Sequence, residues 1–507
     1  MVRVLIPSGA LGLGYDYDAL ERGIAAKPNL IAIDGGSTDS GPSYLGRGVS
    51  KYARSSTKLE WAGLIDAADR AGCPLVIGTA GTCGAGDAVD WLVAITREIL
   101  AERGTTKRIA VLKSDQPARR VVDALAAGRV TPLSPAPDID AALIDSCTNI
   151  VALAGIEQVT AALETGADII IAGRTTDTAI IAALPIVRGI APGPAWHAAK
   201  IGECGALCAT NPQSGVIQID WDSDGFILTP LADDARATPH TVSAHMLYEN
   251  ADPHLLHEPG GTLDVTDAEY EAIDNTRVRV TGAVWHAADD YTVKLEGARV
   301  AGYQTVILAL IRDPDYVAQA QVWADDIVAK CTQKALDRTG AQQSDFDIEI
   351  RLIGQNATLG ALECKQGNPV EIGALGLVTA NTPELSAEIG KMLNPYLLHH
   401  PLTRDEEVPT FAFPFSPAEI DRGAVYEFCL NHVMQLDDPM EAFTLEVIDV
   451  YRPQHRRKSA VQERRTILGY HRYFLRFERT LRPDQGWIEP PSDRRKVRYI
   501  RGTDPAI

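Results

Sequence analysis

Three times before Ala179, an aliphatic run ends in a loop of Gly, Ser, Thr and Asp. The loops read D-G-G-S-T-D-S-G-P from Asp34, G-T-A-G-T-C-G-A-G-D from Gly78 and G-R-T-T-D-T from Gly173. Apolar runs of strand length stand at Val4–Ile6, Leu30–Ile33, Leu75–Ile77, Ile109–Leu112, Ile150–Leu153 and Ile169–Ala172. Helical periodicity fills most of the intervals, at Leu59–Ala71, Ala88–Glu102, Ala118–Ala127 and Val159–Thr165. This alternation predicts an α/β fold with a mostly parallel, Rossmann-like sheet covered on both faces. Parallel strands deliver their carboxyl ends to one edge, so the three loops are expected to line one polar cleft.

The pattern changes after Asn211. Short strands are predicted at Val216–Asp220, Phe226–Leu231, Val278–Thr281, Tyr291–Leu295, Tyr303–Leu310 and Asp347–Ile353, with helices at Tyr316–Arg338 and Pro383–Leu398. At 507 residues the chain exceeds the ~250–300 that one core supports. The expected division is an α/β domain over 1–211, an α+β domain over 212–400, a Pro-rich charged linker over 401–422, and a small C-terminal module over 423–507.

The amino terminus has only a four-residue apolar run, and no stretch approaches the ~18 residues of a membrane span, so a cytoplasmic protein without a membrane partner is expected. Eight Cys are scattered without a C-x-x-C pair, which fits a reducing compartment and argues against a structural zinc site. The net charge of -19 is divided unevenly: from Tyr451 onward there are 15 Lys+Arg against 6 Asp+Glu, a tail of +9 on a body of -28. Docking of that tail on an acidic body, its own or that of a neighbouring subunit, is favoured over nucleic acid, and a homo-oligomer is expected.

In the first loop, Gly35 and Gly36 permit close approach of a ligand, and Ser37, Thr38 and Ser40 offer hydroxyls. Asp34 and Asp39 remain for a metal or a proton; the bland alternative is a tight capped turn. In the second loop, Gly81 and Thr82 precede a helix whose start suits an anion, although neither a P-loop nor a dinucleotide fingerprint is present. In the third, Arg174 and Thr175 suit a small anionic substrate, and Arg174 can equally pair with Asp177.

Downstream, P-G-P-A-W-H-A-A-K-I-G-E-C-G places His197 and Lys200 at i, i+3, with Glu203 and Cys204 a turn on. A base and a cation so close suit acid/base catalysis, and an amphipathic helix with one polar edge explains them as well. Four of the eleven His fall within 18 residues, His240, His245, His254 and His257, with Glu249, Glu258 and Asp264. Their spacing is not that of H-E-x-x-H zincins; His245 and Glu249 are retained with Asp34 as candidate ligands of a divalent ion. Lys294 and Glu296 share one strand face, as an ion pair or as groups facing the cleft.

Together the D-G-G-S-T-D-S-G-P-S-Y-L-G, G-T-A-G-T-C-G, A-G-R-T-T-D-T-A, P-G-P-A-W-H-A-A-K-I-G-E-C-G-A, A-H-M-L-Y-E-N-A-D-P and Y-T-V-K-L-E-G-A segments resemble the acyclic terpene utilisation (AtuA-like) family over approximately residues 1–400. The segment from Gly423 to Val450 resembles the companion domain often fused to or encoded beside it. The resemblance implies a degradative enzyme of carboxylic acids or acyl-CoA thioesters and names no catalytic residue. The residues point to a lyase or hydratase, with His197, Lys200, Asp39 and Asp177 as catalytic groups. A hydrolase using Ser37, Ser40 or Cys83, and a non-catalytic binding or assembly subunit, are the alternatives.

Overall fold

Five parallel strands form the centre of a computed structural model that describes residues 1–450 except 366 and 368. Leu30–Asp34 lies between Val2–Ile6 and Leu75–Gly78, followed across the sheet by Ile169–Ala172 and Lys107–Lys113. Alternate residues of each strand feed two cores, as period-two side chains must. Leu5, Ile31, Ile33, Leu75 and Ile77 pack with Trp61 and Leu64 of helix Arg54–Ala71 and with Val89 and Leu92 of helix Gly86–Arg103. Val4, Leu30, Ala32, Val76 and Ile170 face helices Ala179–Val187 and Pro192–Gly202 on the other side.

The fold is α/β, but the sheet is not the mostly parallel Rossmann-like one expected. It has ten strands, and five are added by antiparallel pairing: Ile217–Trp221, Gly225–Pro230, Val278–Thr281 and Glu269–Ala272 extend it beyond Val2–Ile6, and Thr444–Val450 pairs with Lys107–Lys113 at the other edge. An apolar run reports that a strand is buried, not which neighbour it takes. The short Asp222–Asp224 connection forces its two strands to pair as a hairpin.

The predicted strand at Ile150–Leu153 also leaves this sheet. As Cys147–Ala152 it pairs antiparallel with Tyr291–Ile311, the central strand of a second sheet ordered Phe346–Ile353, Ile372–Ala380, Tyr291–Ile311, Ile420–Leu436, Val130–Pro132. Tyr291–Ile311 is one 21-residue strand where two were expected. Its pairing with Ile420–Leu436 shifts register at Gly297/Ala298 and Val300/Gly302, bulges that interrupt the alternation by which a strand is read. Helices Ala320–Thr339 and Pro383–His399 cover this sheet with a core of their own.

Strand Ile420–Leu436 starts inside the stretch expected as a linker, and residues 420–450 supply strands to both sheets. The described residues, 1–450, belong to one compact unit. The basic tail lies outside the described residues. Among those described, no helix is long and apolar enough to cross a membrane.

Candidate functional site

The strands that end in the three loops are immediate neighbours. Asp34 stands opposite Gly78, and Ile77 opposite Ile171, so the loops emerge side by side at the carboxyl edge. They are stitched together by their own backbone. Gly35 N–H donates to Gly78 O (2.8 Å), Thr82 N–H to Gly35 O (3.1 Å), Thr79 N–H to Gly173 O (2.8 Å) and Ala80 N–H to Ala172 O (2.9 Å). Gly36 N–H donates to Asp34 Oδ2 (2.9 Å). At Gly84, φ is +65° and a Cβ would lie 2.2 Å from the Arg174 nitrogen, so only glycine fits this crossing.

The expected anion cradle is therefore altered. The N–H groups of Gly35, Gly36 and Thr82 are spent on holding the loops, and Gly81 turns against Ala88 with φ +66°. The following helix start, proposed for an anion, receives Asp115: Gly86 N–H donates to its Oδ1 at 2.7 Å. Ser37 caps the Thr38–Ser40 turn and bonds Asp39 Oδ2 (2.6 Å); Ser40 Oγ accepts from the Lys51 ammonium (3.0 Å), and Thr82 Oγ1 from the Lys51 N–H (3.1 Å).

Arg174 is likewise engaged. Its Nε donates to Glu296 Oε2 at 2.9 Å and Nη2 to Oε1 at 3.3 Å, and Nη1 lies 3.7 Å from Asp177 Oδ1. Glu296 arrives from strand Tyr291–Ile311, where its residue stands opposite Val151. Thr38 Oγ1 donates to Glu296 Oε2 (2.9 Å), and Lys294 sits 3.2 Å from Oε1, making Lys294 and Glu296 an ion pair that faces the loops. Burial opposes ionisation of Glu296, yet Arg174 outweighs it and holds the carboxyl at about 2.

The remaining carboxyls are pushed the other way. Burial raises Asp34, helped by the charge of Asp177. Burial, partly offset by Arg174 and reinforced by Glu249, raises Asp177 to about 6. Burial lifts Glu258 to about 7 against hydrogen bonds from Thr178 and Thr176, and Glu203 to about 8 against Lys200. Five polar atoms around this edge have no hydrogen-bond partner: Asp34 Oδ1, Thr175 Oγ1, Asp177 Oδ1, Glu258 Oε2 and His245 Nε2. Buried polar groups are normally satisfied, so their concentration here makes this edge the candidate site for a polar ligand.

Lys200 is buried here, donating to Glu203 Oε1 (2.5 Å) and to the carbonyl of Tyr248 (2.9 Å). His245 stacks on Tyr248 with centroids 5.3 Å apart. Burial, then the Lys200 charge, lowers its imidazole to about 4, so it is neutral. Glu249 (φ +52°) and Asp39 are the solvent-facing acids of the group, within electrostatic reach of Asp177. Among the described residues, Asp34 is not one that could share an ion with His245; those are Glu203 and Cys204.

His197 does not join this cluster. It is fully buried, with Nε2 3.0 Å from the Tyr270 hydroxyl and its ring edge-on to Phe226, and burial lowers it to about 3. An i, i+3 spacing makes two residues neighbours along a helix without aiming them at one target. His197 points at the antiparallel end of the large sheet, and Lys200 at the 245–248 turn. His240, His254 and His257 are exposed.

Glu203, Cys204, Glu258 and Glu296 carry more of the site than their sequence context suggested. Glu258 had a readable signal, since it ends strand Leu255–Glu258 before Pro-Gly-Gly, another strand running into a Gly loop. Glu296 had none beyond its pairing with Lys294. A groove of about 500 Å³ bordered by Asp69, Lys107 and Asp168 lies at the opposite, amino-terminal edge of the parallel strands and has no such cluster.

The model of one protein family, described as acyclic terpene utilisation family protein AtuA, matches residues 52–189 and 195–404, a span that includes Arg174, Asp177, Lys200, Glu203, His245, Glu258 and Glu296. No curated protein and no solved structure matches the chain.

Proposed function

The chain belongs to the acyclic terpene utilisation family AtuA, and on that premise we propose that it is a catabolic enzyme moving protons on a small carboxylic acid or its acyl-CoA thioester, as a lyase or hydratase. The observation that carries this reading is the pair at the loop edge, Asp34 buried and Asp177 half-buried, each with a shielded Oδ1 that has no hydrogen-bond partner. A carboxyl at about 6 both takes and returns a proton near neutral pH, which suits Asp177 to general acid/base work. Asp34, whose proton is held by burial and by the Asp177 charge, is the group to donate a hydrogen bond to a carbonyl oxygen. Removing a proton α to that carbonyl puts negative charge on the oxygen. The Asp34 donor stabilises the charge while Asp177 holds the proton; passing that proton to a β-hydroxyl lets the Cβ–O bond break, so that water leaves as the enolate electrons form the double bond, and hydration is the reverse. Lys294 and Lys51, at the solvent side, suit the charged part of such a substrate.

The hydrolase alternative gains no support. Cys83 is fully buried with its thiol pushed up by burial, Ser37 donates to Asp39, and Ser40 is held by Lys51.

The test is α-hydrogen exchange in D2O, followed by mass spectrometry, with branched enoyl- and 3-hydroxyacyl-CoA thioesters and their free acids. Wild type is expected to incorporate deuterium, and Asp177→Asn to lose roughly 10²–10⁴ of that rate. Neither exchange nor turnover by folded wild type on either class would reject the proposal.

A further inference from the structure

Three donors beside the Asp34–Asp177 pair have no part in that chemistry. Glu203 and Cys204 follow helix Pro192–Gly202 as consecutive residues, and His245 opens the turn His245–Leu247. One ligand atom from each lies within 4.8 Å of the others. Glu203 is 7% and His245 4% exposed. His245 Nε2 has no hydrogen-bond partner, and the ring is held by its stack on Tyr248. Lys200 takes Oε1 of Glu203, leaving Oε2 for another partner. Asp177, Glu249 and Glu258 surround the group, so negative charge exceeds the single Lys200 cation.

A carboxylate, a thiol and an imidazole form a mixed donor set. Magnesium and calcium take oxygen ligands, whereas sulfur with imidazole suits zinc and its neighbours. We propose that Glu203, Cys204 and His245 bind a zinc-class divalent cation through three protein ligands, leaving a fourth position for water or a ligand oxygen. Bonds of ~2.0–2.3 Å require the three donor atoms to close in by about 1 Å. Binding releases the Cys204 proton to solvent and draws Glu203 away from Lys200, whose second contact at Tyr248 O remains. The site goes beyond the proton-transfer reading and does not depend on it.

Cobalt(II) added to metal-free full-length protein tests this directly, because a thiolate ligand gives an intense near-ultraviolet charge-transfer band. The expected result is one ion per chain with that band. Cys204→Ser should abolish the band, and His245→Gln should weaken binding roughly 100-fold. Cys73→Ser, on the far side of the sheet, should change neither. Thermal melts check that each variant is folded, and the two ligand variants lie on separate segments, so failure of one to fold leaves the other informative. No uptake by folded wild type, or a band that survives Cys204→Ser, overturns the site. Exchange by metal-free protein and uptake by protein inactive in exchange are separately readable, so the two proposals fail independently.

Discussion

Replacing Glu296 by Gln keeps the shape of the side chain and removes the charge that neutralises Arg174. The wild-type carboxyl is 5% exposed and falls from an ordinary value of 4.5 to about 2, a shift worth about 3 kcal/mol of folding stability. Breaking a buried ion pair from one side costs ~3–5 kcal/mol by independent reasoning, and Asp177, 3.7 Å from Nη1, recovers part of that. The expected loss at pH 7 is therefore about 3 kcal/mol, read as the shift in urea unfolding followed by tryptophan fluorescence. A depressed carboxyl stabilises fully above its unfolded value and ceases to do so as pH falls through its folded value. The gap between wild type and Glu296→Gln should hold from pH 7 to 5 and shrink by about 1 kcal/mol by pH 3.5. The freed Arg174 turns to Asp177, so the Asp177 carboxyl drops below about 6 and the acid limb of any proton-exchange profile moves to lower pH. A loss under about 1 kcal/mol at pH 7, or a gap unchanged between pH 7 and 3.5, would refute the reasoning.

The raised carboxyl of Asp177 has the opposite sign: its stabilisation is complete below its ordinary value of 3.8 and disappears as pH rises through about 6. Asp177→Asn should accordingly raise the melting temperature at pH 8, by a cost relieved of up to about 3 kcal/mol, and leave it unchanged at pH 4. His197→Ala should cost about 2–4 kcal/mol by opening a cavity beside Phe226 and Tyr270, with turnover per folded molecule unchanged; a large fall in kcat would place the imidazole back in the chemistry. Gly84→Ala should destabilise by more than about 2 kcal/mol, because strain at φ +65° is joined by a 2.2 Å collision with backbone, whereas Gly128→Ala, at φ +72° in open space, should cost only about 1. Comparable melting points for the two glycine variants would mean the loop crossing is not as tight as described.

Local pattern by itself determined the α/β class, the existence of the buried strands and the convergence of the three loops. Aliphatic runs of three or four residues bounded by turn or charged residues read as buried strands, and neighbouring parallel strands bring their carboxyl ends together. Direction and partnership were a matter for the tertiary structure. Ile217–Trp221 and Thr444–Val450 have strand character in isolation, and only packing decided that they run against the central five. The same division runs through the site. Asp34, Arg174 and Asp177 were visible because they sit in the loops themselves. Whether Arg174 was free for a substrate depended on Glu296, 122 residues away, which a bulged 21-residue strand carries beneath it. The backbone donors of Gly35 and Thr82 were consumed by neighbouring loops, and His197 turned toward Tyr270 while Lys200, one helical turn on, found Glu203. Sequence spacing carries the geometry of one element. The charge state of a buried group is set by what other elements bring within a few ångströms of it, and that is decided only when the sheets are assembled.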